Sequence, residues 1–242
     1  MNINSFKISI TFALLIAMWQ CIYFWAGDIA FASPTQTITQ LLKLFQQEKF
    51  WLDLMETGKA VALSMLLSSM IGIPLGIAMG RINLLGETLV PIVLGFASVP
   101  KITLYPFILL VFGLGISAKV CFGVMHGFVP ILLFTINGVH SVRKVHIKTA
   151  AILKLSAFAC ARLVWLPSAY QDILSGLRIG LSSSILGVLI GEMFASSFGI
   201  GSSLMMAVGL NDPPAILALI AVISVFAIGL NLLFLGLRRE SG

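Results

Sequence analysis

The chain has 242 residues, 59% of them hydrophobic and only 10% charged, with a mean hydropathy of +1.06 and a formal net charge of +6. Water-soluble domains carry about 25% charged residues, and a soluble form of this chain would expose apolar patches beyond what monomers tolerate. A soluble globule is therefore excluded, and so is a nucleic-acid partner, because the bases stand singly between apolar stretches; the charge is a signal of membrane topology.

About 20 apolar residues cross a bilayer as a helix, and on that measure the chain reads as an all-α integral membrane protein with six transmembrane helices. The first span is Ile8–Ala26. Lys7, the apolar run and Ala30-Phe31-Ala32 imitate a cleavable signal, but the run exceeds a signal's 7–15-residue core. Trp19, Tyr23 and Trp25 suit interfacial anchors, so retention is expected. Residues 27–57 form the sizeable outer segment. Ser33-Pro34-Thr35 there resembles a helix start, and Leu41, Leu42, Leu44, Phe45 and Phe50 among Gln and Lys suggest a helix lying at the outer surface.

The second span, Gly58–Met79, carries Gly72, Gly76 and Gly80 at four-residue intervals, a stripe that lets helix backbones approach. The third is Thr88–Phe112 and the fourth Ala118–Asn137. Pro74, Pro100, Pro106 and Pro130 sit inside spans, where each removes a backbone hydrogen bond and kinks or breaks the helix. The fifth span, Ile173–Phe194, has two small-residue rows: Gly176, Gly180 and Ser184, and Ser183, Gly187, Gly191 and Ala195. The sixth is Pro214–Leu237.

Lysine and arginine orient the chain. Lys7, Arg81, Arg143, Lys144, Lys148, Lys154, Arg162, Arg178, Arg238 and Arg239 share one side if both termini are inside, while the other side clearly holds only Lys43 and Lys49. Both termini are therefore expected in the cytoplasm. Three parts follow: the first helix with the outer segment (1–57), a five-helix core (58–237) and a short cytoplasmic tail (238–242).

No catalytic, metal or nucleotide site is expected, and no cofactor on this chain. Of nine acidic residues, Asp28, Glu48, Asp53, Glu56 and Asp212 fall in outer loops. Cys21, Cys121 and Cys160 lack CxxC spacing and read as packing residues. Gly58-Lys59 lacks the upstream glycine and following hydroxyl of a phosphate loop. His126 stands alone in its span, whereas His140 and His146 lie among cytoplasmic bases. Two ionisable residues are deep: Lys101, after Pro100, and Glu192. A charge at the bilayer centre costs at least about 2.5 kcal/mol, so each must face protein or water. Either neighbours satisfy them, including each other, or Pro100 and Lys101 line a pathway favouring anions, with Glu192 a further pathway candidate.

The stretch Lys148–Pro167, within the wider segment 143–167, is too apolar for a free loop and too basic to cross a bilayer. Ile147, Ile152, Leu153, Leu155 and Phe158 point several ways round a helix, so two surfaces must cover it. It resembles the signature EAA-x3-G-x9-I-x-LP of permease subunits of type I ABC importers. Leu166-Pro167, Ala150 and aliphatic Val164 match; Lys148 stands at the Glu, Thr149 at the first Ala and Lys154 at the Gly. The flanks are similar to the nitrate/sulfonate/taurine-type branch. They are Ser98-Val99-Pro100-Lys101-Ile102 with Phe112-Gly113-Leu114-Gly115, Pro130-Ile131-Leu132-Leu133 with Asn137-Gly138-Val139, Gly176-Leu177-Arg178-Ile179, Glu192-Met193-Phe194 with Gly199-Ile200-Gly201, and Ser33-Pro34.

The resemblance implies a MetI-like permease bundle whose cytoplasmic coupling helices (Lys148, Thr149, Ala150, Lys154, Ser156, Val164, Leu166, Pro167) dock on an ABC ATPase subunit that binds the ATP. It implies two permease copies as a homodimer with two ATPases, and an extracytoplasmic solute-binding protein. Gly199, Gly201 and Asp212 are docking candidates for that protein. The two departures bear on coupling: Lys148 reverses a charge at the docking face, and Lys154 occupies a position where glycine turns tightly. A transporter working alone would show paired repeats and ionisable relays, and the chain has neither beyond Lys101 and Glu192. A non-transporting paralogue stays open because the signature is altered.

Overall fold

The computed structural model describes residues 3–27 and 30–239. Asp28 and residues 240–242 of the tail lie outside the described residues. Eleven α-helices follow in order: α1 (Ile3–Ala26), α2 (Pro34–Phe45), α3 (Glu48–Arg81), α4 (Asn83–Ser98), α5 (Tyr105–Phe112), α6 (Ile116–His140), α7 (Lys144–Ile152), α8 (Ala157–Cys160), α9 (Leu166–Ala195), α10 (Ile200–Gly209) and α11 (Pro213–Arg239). A 3-10 turn, Lys101–Leu104, precedes α5, and a π turn, Ala161–Trp165, joins α8 to α9.

The centre is the trio α3, α6 and α9, with α6 packed most extensively on α9 and next on α3. The glycines explain how these helices meet. A Cβ added at Gly72 would lie 3.0 Å from Ile131 Cγ2, at Gly76 2.6 Å from Thr135 Cβ and at Gly80 2.7 Å from Val139 Cβ. The α3 stripe is thus the seam with α6, and the two helices run parallel. On α9, Gly176 faces Phe134, Gly180 faces Ile131, Gly187 faces Phe122 and Gly191 faces Lys119, so α9 runs antiparallel to α6. Gly176, Gly180, Ser184, Gly187 and Gly191 form a single row against α6, not the two rows expected; Ser183 is only half-buried. Ser64 and Ser184 add hydrogen bonds to the Val120 and Gly123 carbonyls at 3.2 and 3.1 Å.

Among the described residues four helical stretches are long and apolar enough to cross a membrane: α3, α6, the continuous run 157–194 and α11. α4 and α5 make a fifth only as a broken span, bent by 85°. The third span is therefore not one helix. Pro100 cannot donate its backbone N–H and disfavours helix at Val99, and Val99 is extended. Pro74 and Pro130, expected to kink or break their spans, lie within continuous helices, while Pro106 sits in the first turn of α5, where no N–H is needed. Within α1 the apolar stretch Ile10–Ala26 is shorter than the roughly 20 residues of a full crossing. Trp19 ties α1 to the next segment by donating to the Ala32 carbonyl at 3.0 Å.

Ser33 caps α2 with a full capping box, its hydroxyl accepting from the Gln36 N–H while the Gln36 side chain accepts from the Ser33 N–H. α3 begins at Glu48 rather than near Gly58, which moves Asp53 and Glu56 from an outer loop onto a helix. α9 alone has 30 residues, about 45 Å at 1.5 Å per residue, against a hydrocarbon core of about 30 Å. At the N-terminal end of α9 the helical run continues back through the π turn and α8, with α7 beyond them, at one end of the bundle. α10 and the start of α3 lie at the other end.

Candidate functional site

At the end away from α7, three helices close on the N-terminus of α10. Asp53 and Thr57 stand one turn apart on α3, Lys119 on the first turn of α6 and Glu192 on the last turn of α9, and all four are buried. The Glu192 carboxylate accepts from Thr57 Oγ1 at 2.9 Å and from the Gly201 N–H at 2.9 Å, and Lys119 Nζ lies 3.6 Å away. Asp53 accepts from the Gly199 N–H at 2.8 Å and from the Ser203 hydroxyl at 2.6 Å. Thr57 Oγ1 in turn accepts from the Ile200 N–H at 3.0 Å. Lys119 also donates to the Phe198 carbonyl at 3.1 Å and lies 3.8 Å from Glu56.

The first N–H groups of a helix lack internal partners and carry about half a positive charge, and here Asp53, Thr57 and Glu192 satisfy them. Gly199 has φ +112, a conformation open to glycine at little cost. Tyr105 closes the group from α5, donating its hydroxyl to the Phe194 carbonyl. The chemistry available is that of a clamp: every buried charge has a partner, and the cluster ties α3, α6 and α9 to α10. The sequence placed Glu192 as a pathway candidate, or as a partner of Lys101. Instead its carboxylate is wholly enclosed and its cation is Lys119. Lys101 donates to the Ala97 carbonyl at 3.4 Å, in the break between α4 and α5 and within electrostatic reach of the half-buried His126. Gly199 and Gly201 are buried as well, leaving only half-buried Asp212 open on that side.

At the opposite end α7 stands nearly free, touching mainly the π turn. Its C-terminus is a Schellman cap: the Leu155 N–H reaches the Ala150 carbonyl and the Lys154 N–H the Ala151 carbonyl, both at 3.1 Å. Lys154 takes the left-handed position, with φ +49. Ser156 then caps α8, accepting from the Ala159 N–H at 3.2 Å. Lys148, Thr149, Lys154, Ser156, Leu166 and Pro167 are exposed, Val164 half-buried and Ala150 buried. Val145, Ile152, Leu153, Phe158 and Leu163 are each more than 60% exposed, and the bases Arg143, Lys148, Lys154 and Arg162 in the same segment are exposed too. Leu166-Pro167 does not end the segment as expected; it opens α9.

A family model described as the binding-protein-dependent transport system inner membrane component matches residues 72–239. The chain belongs to that family. It is 30% identical over 235 residues to the taurine transport system permease protein TauC of Escherichia coli (strain K12), covering 94% of this chain and 84% of TauC. It is 27% identical to the riboflavin transport system permease protein RibX of Chloroflexus aurantiacus (93% and 84%) and 24% identical to the formylaminopyrimidine transport permease protein ThiX of Halalkalibacterium halodurans (90% and 87%). The chain is thus an ABC importer permease subunit, a membrane component of the taurine/sulfonate type.

In this permease Lys154 stands where the family signature has glycine, and the left-handed backbone there accounts for the glycine. A non-glycine residue in that region costs about 1–2 kcal/mol. Lys154→Gly is expected to stabilise the α7 cap by about 1 kcal/mol, read as slower amide exchange at Leu155, whereas Lys154→Ala brings no gain. Asp53, Thr57, Lys119 and Ser203 were missed from sequence. The usable signals were the Asp53–Thr57 spacing of one turn and a lysine opening an apolar span.

Proposed function

We propose that this chain forms the solute pathway of an ATP-driven importer and takes its force through segment 143–167 from a separate ABC ATPase. One observation carries this: large apolar side chains stand exposed among bases on and beside two short capped helices at one end of the bundle, and α7 touches little of its own chain. Exposed apolar surface of this kind marks interaction sites, and the bases keep the segment out of the hydrocarbon. The assembly is a homodimer with two ATPases and an extracytoplasmic binding protein, both termini cytoplasmic and α1 completing six spans. The binding protein docks at the α10 end, near Asp212. The solute is a small anion of the sulfonate class, supported by the likeness to a taurine permease and by Lys101 at the broken span.

The test is co-expression with the neighbouring ATPase and binding protein. The ATPase is expected to co-purify with the parent chain and with Lys154→Gly, and to be lost from Ile152→Ser/Phe158→Ser. ATP-dependent uptake of taurine or a longer alkyl sulfonate is expected in vesicles. A chain that holds no ATPase, or uptake that persists without one, overturns the proposal.

A further inference from the structure

Segment 143–167 is stiffened by caps where α7 meets α8 and is irregular where α8 meets α9. α7 ends in a Schellman cap and α8 begins with a serine cap, so the two short helices form a fixed elbow. The remaining joint is the π turn Ala161–Trp165, where α8 passes into α9. Pro167 favours it. In a helix a proline leaves the carbonyl four residues earlier without its donor, and its ring clashes with that oxygen; here that residue is Leu163, in the middle of the turn. One extra residue of winding relieves the clash. π turns of this sort recur at functional positions inside helices.

Two further observations fall on the same joint. The Trp165 side chain is buried between the joint and the bundle, among Val139, Val142, Ala169 and Ile173, yet its indole N–H meets no acceptor among the described residues. An unmet buried donor raises the free energy of the arrangement that holds it. Beside the turn lies a cleft of about 390 Å³, walled by His146 and Thr149 of α7 and its C-cap Leu153 on one side and by Leu163, Val164 and Ser168 on the other. An α-helical joint is made costly but not impossible by proline, the Trp165 donor meets no acceptor among the described residues, and there is room for α7 to move.

We propose that the π turn is the hinge of the segment: it gains and loses its extra residue as the transporter cycles, turning the α7–α8 elbow about the α9 axis into the cleft. Loss of one residue of winding turns everything before it by roughly 100° and advances it about 1.5 Å. The hinge rests on the proposed coupling to an ATPase and adds to it a moving part within the permease.

The experiment uses the full complex of permease, ATPase and binding protein in vesicles, with Cys21, Cys121 and Cys160 replaced. Spin labels at Thr149→Cys and Ser168→Cys, on the two walls of the cleft, are read without nucleotide and with ATP trapped. The expected result is a change of about 5 Å or more, because a turn of about 100° swings any residue standing several ångströms off the α9 axis by that much. Pro167→Ala restores the missing N–H and removes the clash. It is expected to raise the melting temperature, retain the ATPase, hold the label distance constant and lower uptake at least tenfold. A merely structural proline would not make the protein more stable and less active together. An unchanged label distance in a parent complex that transports overturns the hinge while leaving the proposed function standing, as does normal uptake by Pro167→Ala. A parent complex that recruits no ATPase overturns the proposed function, and the hinge with it.

Discussion

Replacing Glu192 with alanine is expected to destabilise this permease by about 3–5 kcal/mol, the cost of removing one partner from a buried ion pair. Lys119 would be left enclosed and facing only the Phe198 carbonyl and the more distant Glu56. Thr57 Oγ1 and the Gly201 N–H would lose their acceptor at the same time. Glu192→Gln keeps an oxygen for those two donors and loses only the charge, so its loss is expected to be smaller. The discriminating variant is Glu192→Gln with Lys119→Met, which removes both charges while filling nearly the same space. If the clamp works through its ion pair, the double variant recovers much of what Glu192→Ala loses, because a buried pair replaced as a unit is often close to neutral. Thermal unfolding of the purified permease reads all three. A double variant no more stable than Glu192→Ala would show that Lys119 contributes apart from Glu192.

What the sequence showed at the two ends of the molecule differs for a physical reason. The segment 143–167 is contiguous, and its caps depend on neighbours a few residues apart, so its short helical turns and exposed bases were legible from charge and apolarity. Glycine's place in the signature marked residue 154 as a tight bend that lysine disfavours, and Lys154 nevertheless takes a left-handed backbone there. The π turn was not foreseen, because the same proline reads as a stop when α9 is assumed to begin further on. Pro167 belongs to the first turn of a helix in which the preceding residues also take part.

The clamp joins residues as far apart as Asp53 and Gly199, and no periodicity along one chain reports such a meeting. A carboxylate within a span was recognisable as costly, which correctly demanded a partner for Glu192. Lys101 was one partner left open for it; the partner is Lys119, and Lys101 lies in the break of the third span, where the chain bends by 85°. Asp53 was missed for a simpler reason. Measuring spans by apolar length starts the second one at Gly58, while the helix itself continues back to Glu48, carrying polar residues into the protein interior where α10 meets them.

The second large effect separates packing from propensity at two glycines. Gly187 lies where α9 crosses α6, and a Cβ added there would overlap the Phe122 carbonyl and stand 2.7 Å from His126 Nδ1. Gly229 on α11 has open space around it. Gly187→Ala is expected to cost about 3 kcal/mol, the upper part of the range for overpacked sites, because the obstacle is backbone and cannot rotate away. The overlap also falls on the carbonyl that His126 Nδ1 approaches at 2.8 Å, so separation of the helices would disturb that contact too. Gly229→Ala meets no obstacle and removes glycine's excess freedom in a helix, so it is expected to leave the melting temperature unchanged or raise it. Opposite outcomes for one chemical change would place the rigidity of the bundle in the α6–α9 seam. An equal loss at both positions would mean that helix flexibility, rather than close approach, explains the glycines.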